Sequence, residues 1–177
     1  NIPQAQAQFA DTDVNQVLAA AAFSNTSIRY AVAYQNSTNE SGPQLFVTIL
    51  NETLGRVTDF INVSIETTRM QTHPSVAYDS QNDRFMVVWV NDSLNFGVGL
   101  FTDNGVDTLM GQIVSPAGIT TTQPFTLASP GRNMVLSNIT GAGLPVFADF
   151  DIFLFPSITY NPKNKTFLLV YADNRTV

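Results

Sequence analysis

The chain contains no cysteine. Disulfide staples, thiol nucleophiles, iron–sulfur clusters and cysteine-based zinc sites are excluded on that ground alone. Histidine is nearly absent too. His73 is the only one. It precedes Pro74 at the entrance to an expected strand, and no partner base or nucleophile can be identified for it. Charge is scarce, with 12% of residues Asp, Glu, Lys or Arg, about half the usual share. The balance is acidic, with a net charge of -6, so the clustered basic surface that nucleic acid requires is not available and no nucleic-acid partner is expected. No run reaches the roughly 18 apolar residues of a membrane span. The sequence opens at Asn1 without a basic leader, so any signal peptide is expected to have been removed or left out. No G-x-S-x-G, H-E-x-x-H, P-loop or dinucleotide-binding glycine pattern occurs, and the chain is not expected to be an enzyme.

Uncharged polar residues take the place of charge: sixteen Asn and thirty-one Ser plus Thr. They are arranged in a way that points to a compartment. Nine N-x-[ST] sequons occur, at Asn25, Asn36, Asn39, Asn51, Asn62, Asn91, Asn138, Asn164 and Asn174. Chance would give about three, and the excess reads as N-glycosylation of a secreted, extracellular protein. Glycans would supply the surface hydrophilicity that charge does not. The missing cysteines do not contradict secretion, because 177 residues can bury a sufficient core unaided.

The sequence also repeats itself. "PSVAYDSQNDRFMVVWVND" from Pro74 returns as "PSITYNPKNKTFLLVYADN" from Pro156. Tyr78, Phe85 and Trp89 are spaced by seven and four residues, as are Tyr160, Phe167 and Tyr171. An earlier copy, "AAFSNTSIRYAVAYQN", places Phe23, Tyr30 and Tyr34 at the same intervals. Alternating apolar residues either side of a polar cluster predict a β-hairpin in each copy, with "DSQND", "NPKNK" and a shorter "SNTS" as turns. A second hairpin is predicted after each of the first two. Val47 and Met110 each precede a glycine by eight residues, Gly55 and Gly118, with "NETLG" and "SPAG" as turns.

The expected fold is therefore all-β and antiparallel, about two and a half four-stranded repeats arranged as a propeller-like stack or a β-sandwich. The boundaries read as an N-terminal arm over 1–20 and one β-repeat domain over 21–177, with repeats near 21–73, 74–128 and 156–177. Insertions at 93–107 and 129–155 carry glycines and aromatics and are expected to cover core or form a contact surface. The one helical expectation is "VNQVLAAAA", with Asp13 as its cap. It competes with the strand that the repeat assigns to Phe23.

P-S-[VI]-x-Y, a turn, then F-[ML]-[VL]-V-[WY], followed by G-Q-I-V-x-x-x-G, rests here on Pro74 to Trp89, Pro156 to Tyr171 and Gly111 to Gly118. This pattern resembles the repeats of secreted and cell-surface β-propeller-like proteins. The resemblance implies that each unit is one four-stranded blade. In composition the chain is also similar to subunits of extracellular glycoprotein fibrils of the mastigoneme type, which implies self-assembly.

Carboxylates cluster at Asp11 and Asp13, Asp103 and Asp107, and Asp149 and Asp151. "TDNGVD" is the best calcium loop among them, but it lacks the closing Glu of an EF-hand, and no cofactor beyond covalent glycans is expected. Phe96, Phe101, Phe147, Phe150, Phe153 and Phe155 lie in the insertions and suit either core or a sugar-stacking platform. The aromatics of the hairpins are expected in the core. The third copy has no G-Q-I-V continuation, so its sheet is expected to present an unpaired edge. "QAQAQF" alternates strictly, with Ala5, Ala7 and Phe9 on one face and Gln4, Gln6 and Gln8 on the other. Within one chain it could close the sheet; as an inter-subunit strand it would join copies of the chain head to tail. The expected function is a structural, self-assembling glycoprotein, with a carbohydrate-binding or adhesion module as the alternative.

Overall fold

The structure is a computed structural model that describes residues 15–37, 44–64, 69–95, 102–103, 107–129 and 155–171. Every regular element among them is a strand. The first sheet runs β1 (Asn15–Ser24), β2 (Arg29–Ser37), β3 (Gln44–Asn51) and β4 (Ile61–Asn62), hydrogen-bonded in that order. The second runs β5 (Arg69–Asp79), β6 (Arg84–Asn95), β8 (Thr108–Val114) and β9 (Phe125–Ala128), with β7 (Thr102–Asp103) paired to the far end of β6. The third is the hairpin β10 (Ser157–Asn161) and β11 (Thr166–Val170). All pairings are antiparallel.

The seven-residue aromatic interval is a cross-strand pair. Phe23 faces Tyr30, Tyr78 faces Phe85, and Tyr160 faces Phe167. Their ring centroids lie 4.7, 5.5 and 5.0 Å apart, within the range where aromatic pairs stabilise a ladder. The intervening loops have one design. Residues 25–28, 80–83 and 162–165 close them, so the first loop is not shorter than the others. In each, the residue before the loop caps its amides: Ser24 accepts from the Ser27 N–H, Asp79 from Gln81 and Asn82, Asn161 from Lys163 and Asn164. In each, the last loop residue is left-handed, at φ 53° for Ile28, 46° for Asp83 and 56° for Lys165.

The second hairpins correspond as well, but one residue away from the alignment of Gly55 with Gly118. Leu54 and Gly118 are the equivalent left-handed positions, at φ 64° and 76°. Each donates its N–H back across the turn, to Asn51 and Ser115. Phe46 with Asn62 then matches Met110 with Thr126. The two glycines mislead because only one of them stands where the backbone is left-handed. At Gly118 a Cβ would also collide with the Thr58 side chain.

β1 takes in "NQVLAAAAFS", so the helix over residues 14–22 does not form. Tertiary packing overrides alanine's helix propensity. Ala20 and Ala22 are small enough to let β1 lie close against β5 of the second sheet. Residues 15–20, read from sequence as part of the arm, belong to this strand, and the second sheet starts at Arg69 rather than 74. The insertion at 93–107 extends a ladder: Leu94 pairs with Asp103 and Asn95 with Thr102.

The sheets pack face on face. Phe85, Val87, Trp89 and Val76 of the second sheet bury themselves against Ala31, Ala33, Val47 and Ile49 of the first. The opposite face of the second sheet, Ala77, Met86, Val88 and Ile113, packs on Ile158, Phe167 and Leu169 of the third. The rule at both contacts is the same: an aromatic face of the later sheet meets a small or aliphatic face of the earlier one.

Candidate functional site

The sequons fall into distinct environments. Asn25 and Asn164 sit in exposed hairpin loops, and Asn62 is exposed at the end of β4. Asn51 is partly buried, and its Oδ1 accepts from Thr53 N, Thr53 Oγ1 and Gly55 N at 3.0, 2.9 and 2.8 Å. The Asn62 Oδ1 accepts likewise from the Ser64 N–H, at 2.9 Å. In both, the carboxamide oxygen is occupied and Nδ2, the atom that carries a glycan, is left for modification. Asn36 is half-buried on β2. Asn91 differs from all of these. It is 7% exposed, and its Oδ1 accepts from Gln71 Nε2 at 2.8 Å. Asn39, Asn138 and Asn174 lie outside the described residues, as does the expected assembly strand Gln4 to Phe9.

The first two hairpin loops form a polar clasp between the first and second sheets. The Asp83 carboxylate accepts from Ser24 Oγ at 2.7 Å, from Ser27 Oγ, and from Tyr78 Oη at 2.9 Å. The Tyr78 hydroxyl also reaches Thr26 Oγ1 of the first loop, at 2.8 Å. Burial opposes ionisation of Asp83, but these hydroxyl donors outweigh it and hold its pKa below the usual carboxylate value. Asp79 lies at the base of the same loop. Burial again opposes its charge. Hydrogen bonds from Asn82, Arg84 and the Gln81 backbone, with the Tyr160 hydroxyl beside it, win and bring the pKa down to about 2.

Where the three repeats converge, Leu18, His73 and Phe155 come together. Each stands five residues before the first aromatic of its hairpin and directly before Ala19, Pro74 or Pro156. Leu18 and His73 are both left-handed, at φ 53° and 52°, and both sit at a register shift of their strand. With Ala19, Pro74 and Pro156 they line an open cleft of about 120 Å³. The His73 ring meets Phe155 edge to face at 4.3 Å, and its Nδ1 is 3.1 Å from Thr72 Oγ1. Burial lowers its pKa below the usual histidine value. The five-residue offset was visible in the sequence, but only the fold shows that the three positions meet.

Among the described residues no group of three or more His, Asp or Glu could hold a metal ion. Asp107 is buried, and residues 104–106 of "TDNGVD", with Asp11, Asp13, Asp149 and Asp151, lie outside the described residues. Of the insertion aromatics only Phe155 is described, and it is exposed. No described helix is long and apolar enough to cross a membrane.

The remaining chemistry is on the outer faces of the stack. Phe85, Trp89 and Tyr34 are buried as expected, but Phe23, the counterpart of Tyr78 and Tyr160, is 42% exposed. At the other end Leu168 and Val170 are 58% and 57% exposed. Their equivalents in the first two sheets, Ala31 and Ala33, and Met86 and Val88, are buried. The signal for these faces was in the sequence, since Leu168 and Val170 alternate with Phe167 and Tyr171. What it did not carry was which faces have a neighbour.

No family model matches the chain, and no curated protein and no solved structure matches it.

Proposed function

We propose that this is a structural, N-glycosylated extracellular protein whose copies assemble head to tail. The observation that carries the reading is the pair of apolar surfaces, around Phe23 and around Leu168, at opposite ends of one stack of sheets. The exposed sequons at Asn25, Asn62 and Asn164 support the extracellular part. In the same reading the sheets are successive blades of a propeller-like stack. The equivalent strands β1, β5 and β10 lie together along one line and bring Leu18, His73 and Phe155 to one point, as inner strands of blades do. Head-to-tail contacts of this kind yield a filament, or a ring if the rotation closes.

Sedimentation velocity on the native protein over a range of concentrations, with and without glycosidase, tests this. Species larger than the monomer and a loss of mass on deglycosylation are expected. A monomer at all concentrations would sink the assembly, and an unchanged mass would sink the glycoprotein. Deleting residues 1–9 asks whether the N-terminal segment supplies a strand that pairs with β11 of a neighbouring copy.

A further inference from the structure

Each sheet in the stack has two chemically different faces, and the repeat shows what each face takes as its neighbour. The face that bears Ala31 and Ala33 in the first sheet is covered by Phe85 and Val76 of the second. The face that bears Met86 and Val88 in the second is covered by Phe167 and Ile158 of the third. Leu168 and Val170 form the same face of the third sheet, and both are mostly exposed. The surface that would satisfy it is the counterpart of Phe85, Tyr78 and Val76. In this chain that counterpart is Tyr30, Phe23 and Ala21 of the first sheet, where Phe23 and Ala21 are exposed on the β1 side, while Val32 and Tyr34, the counterparts of Val87 and Trp89, are already buried within the chain among Leu50, Phe46 and Leu54.

We infer that the Leu168–Val170 face of one copy stacks on the exposed β1 side of the first sheet of the next, around Phe23 and Tyr30, repeating between chains that part of the sheet-on-sheet contact made twice within the chain. This rests on the head-to-tail reading above and names its interface: faces, rather than strand edges, are what join. The register is set by the internal contacts. The Ile158 N–H donates to Ser75 Oγ at 3.3 Å between the second and third sheets. Ser157, which is exposed, occupies Ser75's place in the third sheet, and Ala21 occupies Ile158's place in the first. The Ala21 N–H of the incoming copy therefore meets Ser157 Oγ.

One part of the internal contact is not carried over. Asp83, which collects the hydroxyls of Ser24, Ser27 and Tyr78, has Ile28 as its counterpart in the first loop, and Tyr78 has Phe23. The contact between copies is thus almost wholly apolar. Its strength should change little with salt, because there are few exposed charges to screen, and it should weaken on cooling. Asn164 stands in the third loop where Ser27 stands in the first. A glycan there borders the interface, so the protein is compared before and after glycosidase.

The test uses two variants of the full chain, each blocked on one face with the same sign of charge. Leu168→Lys/Val170→Lys spoils one face at exposed positions. Phe23→Lys spoils the other, and Phe23→Ser serves if the lysine variant loses its β circular dichroism. Each variant alone should sediment as a monomer. Mixed in equal amounts they should give a dimer and nothing larger, because each retains the face that the other has lost. Wild-type assembly that survives the Leu168/Val170 double change would overturn the interface. So would blocked monomers that fail to pair on mixing. If removing residues 1–9 abolishes assembly while the face variants do not, strand addition joins the copies and the stacked-face interface is wrong. If wild-type protein never exceeds a monomer, the head-to-tail reading itself falls.

Discussion

Trp89 donates its indole N–H to Gln71 Oε1 at 2.7 Å, and Gln71 Nε2 donates in turn to Asn91 Oδ1 at 2.8 Å. Trp89 and Gln71 are almost wholly buried. A buried indole donor needs a partner, and this short chain of polar groups on β5 and β6 supplies it beside the contact between two sheets, where buried Thr72 Oγ1 also donates to Gln35 Oε1 at 3.1 Å. Replacing Trp89 by Phe leaves the Gln71 oxygen unpaired and should cost roughly 1–3 kcal/mol beyond the lost apolar area. Gln71→Leu should cost a comparable amount. The double variant should lose less than the sum, since the two changes break one bond. Urea unfolding followed by far-ultraviolet circular dichroism measures all three.

Asn91 is held by that same network, so its sequon should stay unmodified in folded protein. Asn25, Asn62 and Asn164 should be occupied. Peptide mapping after enzymatic deglycosylation in heavy-oxygen water reads each site separately. A glycan found on Asn91 in assembled protein would mean that β6 is wrongly placed.

Asp79 gives the fold an acid limit. Its pKa is depressed in the folded state to about 2, below the unfolded carboxylate value of about 3.9. Stabilisation from this group is therefore complete above the unfolded value and is lost as pH falls toward the folded one. Urea midpoints should be flat from pH 7 to 5 and drop between pH 4 and 2. Asp83, shifted in the same direction, adds to the drop. Asp79→Asn should be less stable at pH 7 and show a shallower acid limb. Equal pH dependence of variant and wild type would remove Asp79 from the account.

Gly118→Ala should destabilise by about 1–3 kcal/mol, for two independent reasons. Its φ of 76° is poorly tolerated by residues with a Cβ, and the added carbon would press on Thr58 of the first sheet. Gly55→Ala should cost less. Gly55 is not left-handed, and its nearest neighbours are the carboxamide atoms of the Asn51 side chain. Thermal unfolding of the two variants side by side separates the positions.

The aromatic intervals carried much of the fold in advance. Seven residues from Tyr78 to Phe85 is the distance needed to descend one strand, cross a four-residue loop and arrive opposite, so the spacing encoded the hairpin register. The second hairpins were less legible. Gly55 and Gly118 look equivalent, yet Leu54 takes the left-handed position that Gly118 takes, and the match slipped by one. The alanine run misled because composition favours a helix while the approach of β1 to β5 demands small residues in a strand. Burial was the least legible property. Phe23 and Tyr78 hold the same place in neighbouring repeats, yet Phe23 is exposed while Tyr78 is half-buried and bonded to the first loop. Nothing local to Phe23 records that. The candidate surfaces were hidden for the same reason: they are defined by neighbours rather than by motif.

The second sheet, covered on one side by Ala31 and Ala33 and on the other by Ile158 and Phe167, is reached by solvent only along its edges. In a linear array where each layer touches only the layers beside it, stability is shared unevenly. The interior layer opens only after an end layer has let go, so the amides of β6 should exchange with deuterium last and those of β10 and β11 first. The molecule should come apart from its ends, layer by layer, and adding a further layer at either end would slow exchange in the layer that it covers.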